Sequence, residues 1–288
     1  MGYEAQEILT ARARERSEIW RTAAGIMLLA ILAPLLTAVI YLGFIAAIGA
    51  SANPASGASG PNTMLVILGT FVLPLAVMAV LMPLLHKRSL LSLVGPAALA
   101  GPQFLRVLGS TAVVVALAVM LPTPGGIAPI PNLSPLIWLQ YLLPALLLLA
   151  VQVGTEELIF RGYLQSQLAA RFRSPLIWLV VPAVLFAVLH LDASAGDNRW
   201  PVVAITFLFA LAAGDLTARS GTLGPALALH FVNNFGSLMI IGAQGPMQGL
   251  ALYIFPTTAA DPILLPSIAL EALLVLIAWL AARVVLRR

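Results

Sequence analysis

Residues 154–163 read G-T-E-E-L-I-F-R-G-Y and follow an apolar run from Pro135 to Val153. An ionisable side chain inside such a run marks a functional site by default, because apolar surroundings penalise charge. Few others occur in apolar surroundings. His190 closes L-F-A-V-L-H-L, and His230 and Asn234 lie in A-L-A-L-H-F-V-N-N-F-G. Residues four apart share a helix face. Glu157 is therefore expected to pair with Arg161, while Glu156, rotated by about 100° on the helix, is left for other work. His230 and Asn234 share a face in the same way, and Phe186 sets an aromatic ring beside His190.

A glutamate, two histidines and an asparagine at one depth can hydrolyse an amide. The glutamate can take a proton from water, and a histidine can orient that water or protonate the leaving amine. A histidine and asparagine pair can stabilise the oxyanion. Alternatively Glu156, His190 and His230 could hold Zn²⁺, since two His and one Glu form a known catalytic ligand set. Residue types and spacing do not choose between the two.

The elements that must position these residues are apolar helices. Of 288 residues, 61% are hydrophobic and 9% charged, against about 25% charged in a soluble domain. The chain reads as an all-α polytopic membrane protein. Eight stretches approach spanning length, at about 23–50, 63–85, 104–121, 136–156, 174–191, 201–218, 222–242 and 264–284, within a single transmembrane domain, 23–288, after a cytosolic segment, 1–22. With the N-terminus inside, the 15 Lys and Arg fall on the inner side except Arg199 in an outer loop and Arg161 between. That asymmetry predicts N-in and C-in. Trp20, Trp138, Trp178, Trp200 and Trp279 fall near span ends, where indoles prefer to sit. Arg12, Arg14, Arg16 and Arg21 are read as an orientation signal, so no nucleic-acid partner is expected.

Depth brings the polar set together. Counted from the flanking basic residues, Glu156, His190, His230 and Asn234 lie roughly 16–25 Å in. That is near or beyond the middle of a core about 30 Å thick. The agreement requires Arg161 to be intramembrane too. A straight helix from Pro135 to Ala170 would run roughly 54 Å, so a kink at Pro144 is expected. Residues 3–21 and 86–105 suit interfacial segments on the inner face, and the Pro- and Gly-rich outer loops read as connectors. Asp215 is expected to pair with Arg219, Asn233 to be structural, and His86 to be interfacial. Glu271 reads as a helix contact or an interfacial residue.

Several classes are disfavoured. There is no cysteine for a disulfide, a Cys nucleophile or a Cys-ligated zinc. No H-E-x-x-H is present. G-A-S-G at 57–60 resembles a rhomboid serine motif but lies in an outer loop with no histidine nearby. A proton-coupled transporter would use the same glutamates and histidines as a relay, yet would bring inverted repeats or paired broken helices, and none is visible. A buried polar network that only ties helices together would also place such residues.

E-E-L-I-F-R (156–161), F-A-V-L-H (186–190) and H-F-V-N-N (230–234) resemble E-E-x-x-x-R, F-x-x-x-H and H-x-x-x-N, the three motifs of the CPBP family. That family includes type II CAAX prenyl endopeptidases and bacteriocin-processing (Abi) proteins. The resemblance spans about residues 135–240. It implies an eight-helix intramembrane endopeptidase, usually labelled a metalloprotease, acting on a membrane-bound or lipidated protein or peptide from a cavity open to the cytosolic side. By position, Glu156 activates water with His190, His230 and Asn234 stabilise the oxyanion, and Glu157, Arg161 and Phe186 support them. Zinc and a metal-free glutamate mechanism both remain open, as does a non-catalytic immunity or scaffold protein on the same fold. The Ala- and Leu-rich, cysteine-free composition leads us to expect a bacterial inner membrane.

Overall fold

The computed structural model describes residues 2–48 and 60–287. The G-A-S-G stretch lies almost wholly outside the described residues. Each of the eight apolar stretches forms a helix: α1 (Ile19–Ile48), α2 (Pro61–His86), α3 (Ala97–Val119), α4 (Pro135–Arg171), α5 (Leu176–Val188), α6 (Arg199–Ser220), α7 (Gly224–Phe235) and α8 (Leu265–Leu286). The protein is an all-α polytopic membrane protein. Its helices expose large apolar side chains such as Ile31, Leu35, Leu117, Leu143 and Val284, a surface that suits lipid rather than water.

Six of the described helices are long and apolar enough to cross a membrane, where the sequence suggested eight crossings. The difference lies in α5 and α7. α7 has 12 residues of α-helix and continues as a π-turn over Gly236–Ile240, together a rise of roughly 25 Å at most, short of a core about 30 Å thick. His190 lies just beyond α5, which exposes Val181, Val184, Leu185 and Val188 on its outer face, and His230 lies on α7, which is largely buried in the bundle.

α4 is the long element, at 37 residues. Ser134 caps it, its hydroxyl accepting from the Ile137 amide, and Pro135 supplies a first-turn φ without a wasted donor. Pro144 lies inside unbroken α-helix. The irregular part comes later, at Leu158–Gln165, which winds as a π-helix. The wider turn falls immediately after Glu157 and includes Arg161. Such insertions are frequent at functional sites.

The N-terminal segment is helical in short turns from Glu4 to Arg16 and buries Gln6, Leu9, Thr10 and Ala13. It docks on α6 and α4. Gly221 ends α6 at φ 75°, and a side chain there would strike the Ala5 carbonyl. Gln165 donates to the Gln6 side chain (3.2 Å), and Arg88 donates to Ser166 (2.9 Å). His86, expected at the interface, is instead buried between the Arg16 carbonyl (3.0 Å) and the Tyr163 hydroxyl (2.9 Å). The Asp215–Arg219 pair forms at 2.8 Å, and Asp215 also accepts from Tyr3 (2.7 Å) and Trp279 (2.9 Å).

At the other end, the loops read as plain connectors contain a three-stranded sheet. β1 (Ile130–Pro131) pairs antiparallel with β3 (Tyr253–Thr258), and β2 (Ile241–Gln244) pairs parallel with β3. Asn132 ties the sheet down by donating to the Gln248 and Ala251 carbonyls.

Candidate active site

Apolar packing fixes the frame first. Phe160 from α4, Phe186 from α5, Phe209 from α6 and Leu229 from α7 belong to one buried cluster. Phe186 is its hub. Its ring meets Phe160 edge-on at 5.0 Å, lies 4.6 Å from the His190 ring and stands 6.0 Å from His230. The Arg161 guanidinium stacks over it at 4.5 Å. Phe209 packs on His230 at 5.0 Å. A cation over an aromatic face is attracted by the ring quadrupole, so these rings share in holding Arg161.

Inside that frame, Glu157 is wholly buried, and its Oε1 accepts from Arg161 (2.8 Å) and from His230 Nδ1 (2.7 Å). The i,i+4 pair expected from spacing is therefore present, with the histidine added to it. A carboxylate acceptor places the proton on Nδ1. The other ring nitrogen, Nε2, points away from Glu157. It faces Glu156, whose Oε2 is 3.6 Å away. That distance is beyond a direct hydrogen bond and invites a bridging water. Glu156 Oε2 is buried with no hydrogen bond among the described residues, yet the side chain keeps 14% of its exposure. Two adjacent glutamates thus have different environments: one is neutralised and locked, the other open.

Asn234 sits one turn beyond His230 and donates to Gln152 Oε1 (3.0 Å). Gln152 was missed by sequence reasoning. It is buried and lies four residues before Glu156, on the same face of α4. A lone amide in the apolar run was the available signal. Asn233 donates to Asn234 Oδ1 at 3.5 Å, in keeping with a structural part.

His190 is less enclosed. It falls in the turn after α5, is exposed, and its Nδ1 is 2.8 Å from the Phe186 carbonyl. A carbonyl can only accept, so Nδ1 donates to it, and Nε2 has no hydrogen bond among the described residues. Among the described residues no hydrogen bond joins His190 to Glu156. A catalytic zinc needs about three protein ligands. Glu156 and His230 supply two, and no group of three His, Cys, Asp or Glu is gathered for a metal among the described residues. The expected set of Glu156, His190 and His230 does not fit zinc in this arrangement.

A cavity of about 390 Å³ reaches the site at Phe209 and Asn233. It is walled by Thr111–Val119 of α3, the later residues of α7, the early residues of α8 and the sheet. The N-terminal segment packs at the opposite end, against Asp215 and Gly221. The sequence led us to expect an opening on the N-terminal, cytosolic side; this cavity lies at the other end.

Carboxylate, imidazole and amide groups are thus gathered between the helices of a polytopic membrane protein. The family comparison narrows this. Residues 138–236 match the family model for type II CAAX prenyl endopeptidases, Rce1-like. That segment carries every residue of the site, and over it the chain is similar to this protease family. A stretch of 132 residues, 46% of the chain, is 30% identical to the uncharacterized protein YyaK of Bacillus subtilis strain 168. The match spans 44% of that relative's length, less than half. No solved structure matches the chain.

Proposed function

We propose that the protein is an intramembrane endopeptidase that cleaves a membrane-bound or lipidated protein or peptide, CAAX-like substrates included, with water activated by Glu156 and His230. The observation that carries this reading is the line from Glu157 through His230 to Glu156. A locked carboxylate fixes the imidazole at Nδ1, and Nε2 faces a second carboxylate, Glu156, across 3.6 Å. A histidine oriented by a buried carboxylate is the usual arrangement for a base.

In this proposal the water lies between Glu156 and His230. Glu156 takes one proton as the water oxygen bonds to the scissile carbonyl carbon. The carbonyl oxygen becomes an oxyanion, and Asn234 stabilises it with the amide N–H that Gln152 does not use. The C–N bond then breaks, the electron pair leaves with nitrogen, and the proton held by Glu156 passes to the amine. His190, at the open edge, orients the departing or entering group. The membrane is proposed to be a bacterial inner membrane, with both termini on the cytosolic side.

The test is cleavage of a lipidated reporter peptide by purified protein in lipid nanodiscs. Glu156→Gln should lower the rate by about 10²–10⁴-fold and leave the melting temperature unchanged. Full activity in that variant would overturn the assignment of Glu156. Retained activity in a preparation shown to contain no metal is expected; activity lost on chelation and restored only by zinc would transfer the water to a metal.

A further inference from the structure

The 390 Å³ cavity beside the site falls within the ~300–1,000 Å³ range of small-molecule sites. Its wall is Val, Leu, Ile, Phe and Ala, with the polar side chains Thr111, Thr123, Asn233, Ser237, Ser267 and Glu271. The four hydroxyls are already committed. Thr111 donates to the Val107 carbonyl (2.8 Å), Thr123 to Ile127, Ser237 to Asn234 (3.5 Å) and Ser267 to Pro124 (3.5 Å). Asn233 donates to Asn234.

Glu271 is different. It is the one ionisable residue of the wall, it is not covered by neighbouring side chains, and it has no hydrogen bond or ion pair among the described residues. Among the described residues, no Lys, Arg or His lines the cavity. A carboxylate on an apolar wall within a helix of spanning length demands a partner. The cavity supplies apolar surface and an acceptor, and it lacks a cationic donor.

We propose that this cavity binds an apolar molecule carrying a protonated primary amine, with the hydrocarbon body against the α3, α7 and α8 walls and the ammonium on Glu271. An isosteric alcohol would fill the same volume and leave the carboxylate's charge unanswered. An anionic head would be repelled. The proposal rests on the cavity's own lining and stands whether or not the neighbouring residues hydrolyse peptides.

The test uses 1-aminoadamantane and 1-hydroxyadamantane, which share one compact cage and differ in the head group. Equilibrium dialysis against protein in nanodiscs, corrected with empty nanodiscs for partition into lipid, gives both dissociation constants. The amine should bind at least about tenfold more tightly than the alcohol, a difference of about 1.4 kcal/mol. Glu271→Gln should erase that preference and leave the alcohol's affinity unchanged. Ala278→Phe, which fills the cavity from an uncharged position, should abolish binding of both. Equal affinities in the unmodified protein, absence of saturable amine binding there, or a preference that survives Glu271→Gln would each overturn the proposal. The comparison in the unmodified protein decides it even if a variant fails to fold.

Discussion

His230 Nδ1 and Arg161 meet on the same oxygen of Glu157, at 2.7 and 2.8 Å. One buried carboxylate atom therefore balances a guanidinium and orients an imidazole at once. Arg161 has a second anchor in the Ala210 carbonyl, at 3.4 Å, and the faces of Phe186 and Phe209 cover it. Charge compensation and site geometry are the same contact, so stability and catalysis separate only between the two glutamates.

The first prediction concerns that separation. Glu157→Gln should destabilise by about 3–5 kcal/mol, because it leaves Arg161 charged, buried and unpaired. Combining it with Arg161→Met should recover most of the loss, since the orphaned charge is gone. Melting curves in one detergent measure both. A Glu157→Gln protein that melts like the unmodified one would show that Arg161 is balanced elsewhere.

Removing the imidazole should give the opposite pattern. His230→Ala is expected to cut peptide cleavage by about 10²–10⁴-fold, with partial recovery on adding imidazole, which fits the space the side chain leaves. If activity is lost together with the melting transition and neither imidazole nor a smaller amine restores it, His230 supports the fold rather than the water.

Much of this was legible in the chain. Glu157–Arg161, Asp215–Arg219 and Phe186–His190 are all four apart, and helix geometry alone puts each pair in contact. The eight helices follow from apolar run length. What escaped is what depends on the distance between helices. No spacing rule says that His230 of α7 reaches both Glu157 and Glu156 of α4. Nor does the π-turn at Leu158–Gln165 carry a sequence signature, and the expected disturbance at Pro144 is absorbed within a continuous α-helix. The sheet escaped because β1 and β2 are two and four residues long, and β1 pairs with a strand more than 120 residues away. Gln152 was passed over because one amide in an apolar run looks neutral until its partner, Asn234, is known.

Gln152 gives the third prediction. Its carbonyl fixes the Asn234 amide, so Gln152→Leu should free that amide to rotate. Misplacement of a group near the reacting atoms costs roughly tenfold to a hundredfold in rate. With Asn234 in its proposed place on the oxyanion rather than on bound substrate, the loss should fall on kcat with KM little changed. Gln152→Glu, which keeps the acceptor, should retain more activity. A Gln152→Leu protein affected only in KM would move Asn234 out of the reaction.

The last prediction tests the N-terminal segment. Tyr3 donates to Asp215 at 2.7 Å, and Arg219 lies over its ring. Burial disfavours the phenolate, and Asp215 both accepts its proton and repels the anion, so Tyr3 titrates above its ordinary 10.0. A group raised in this way contributes stability that is fully present below the unfolded value and is lost as pH rises through the folded one. The melting temperature of the unmodified protein should therefore fall as the pH rises above about 10, more than that of Tyr3→Phe, which has no proton to lose there. At pH 7 Tyr3→Phe should be the less stable by about 1 kcal/mol, the worth of one hydrogen bond. Parallel pH dependence in the two proteins would show that the segment is held by Leu9, Ala13 and Gln6 and not by the Tyr3–Asp215 contact.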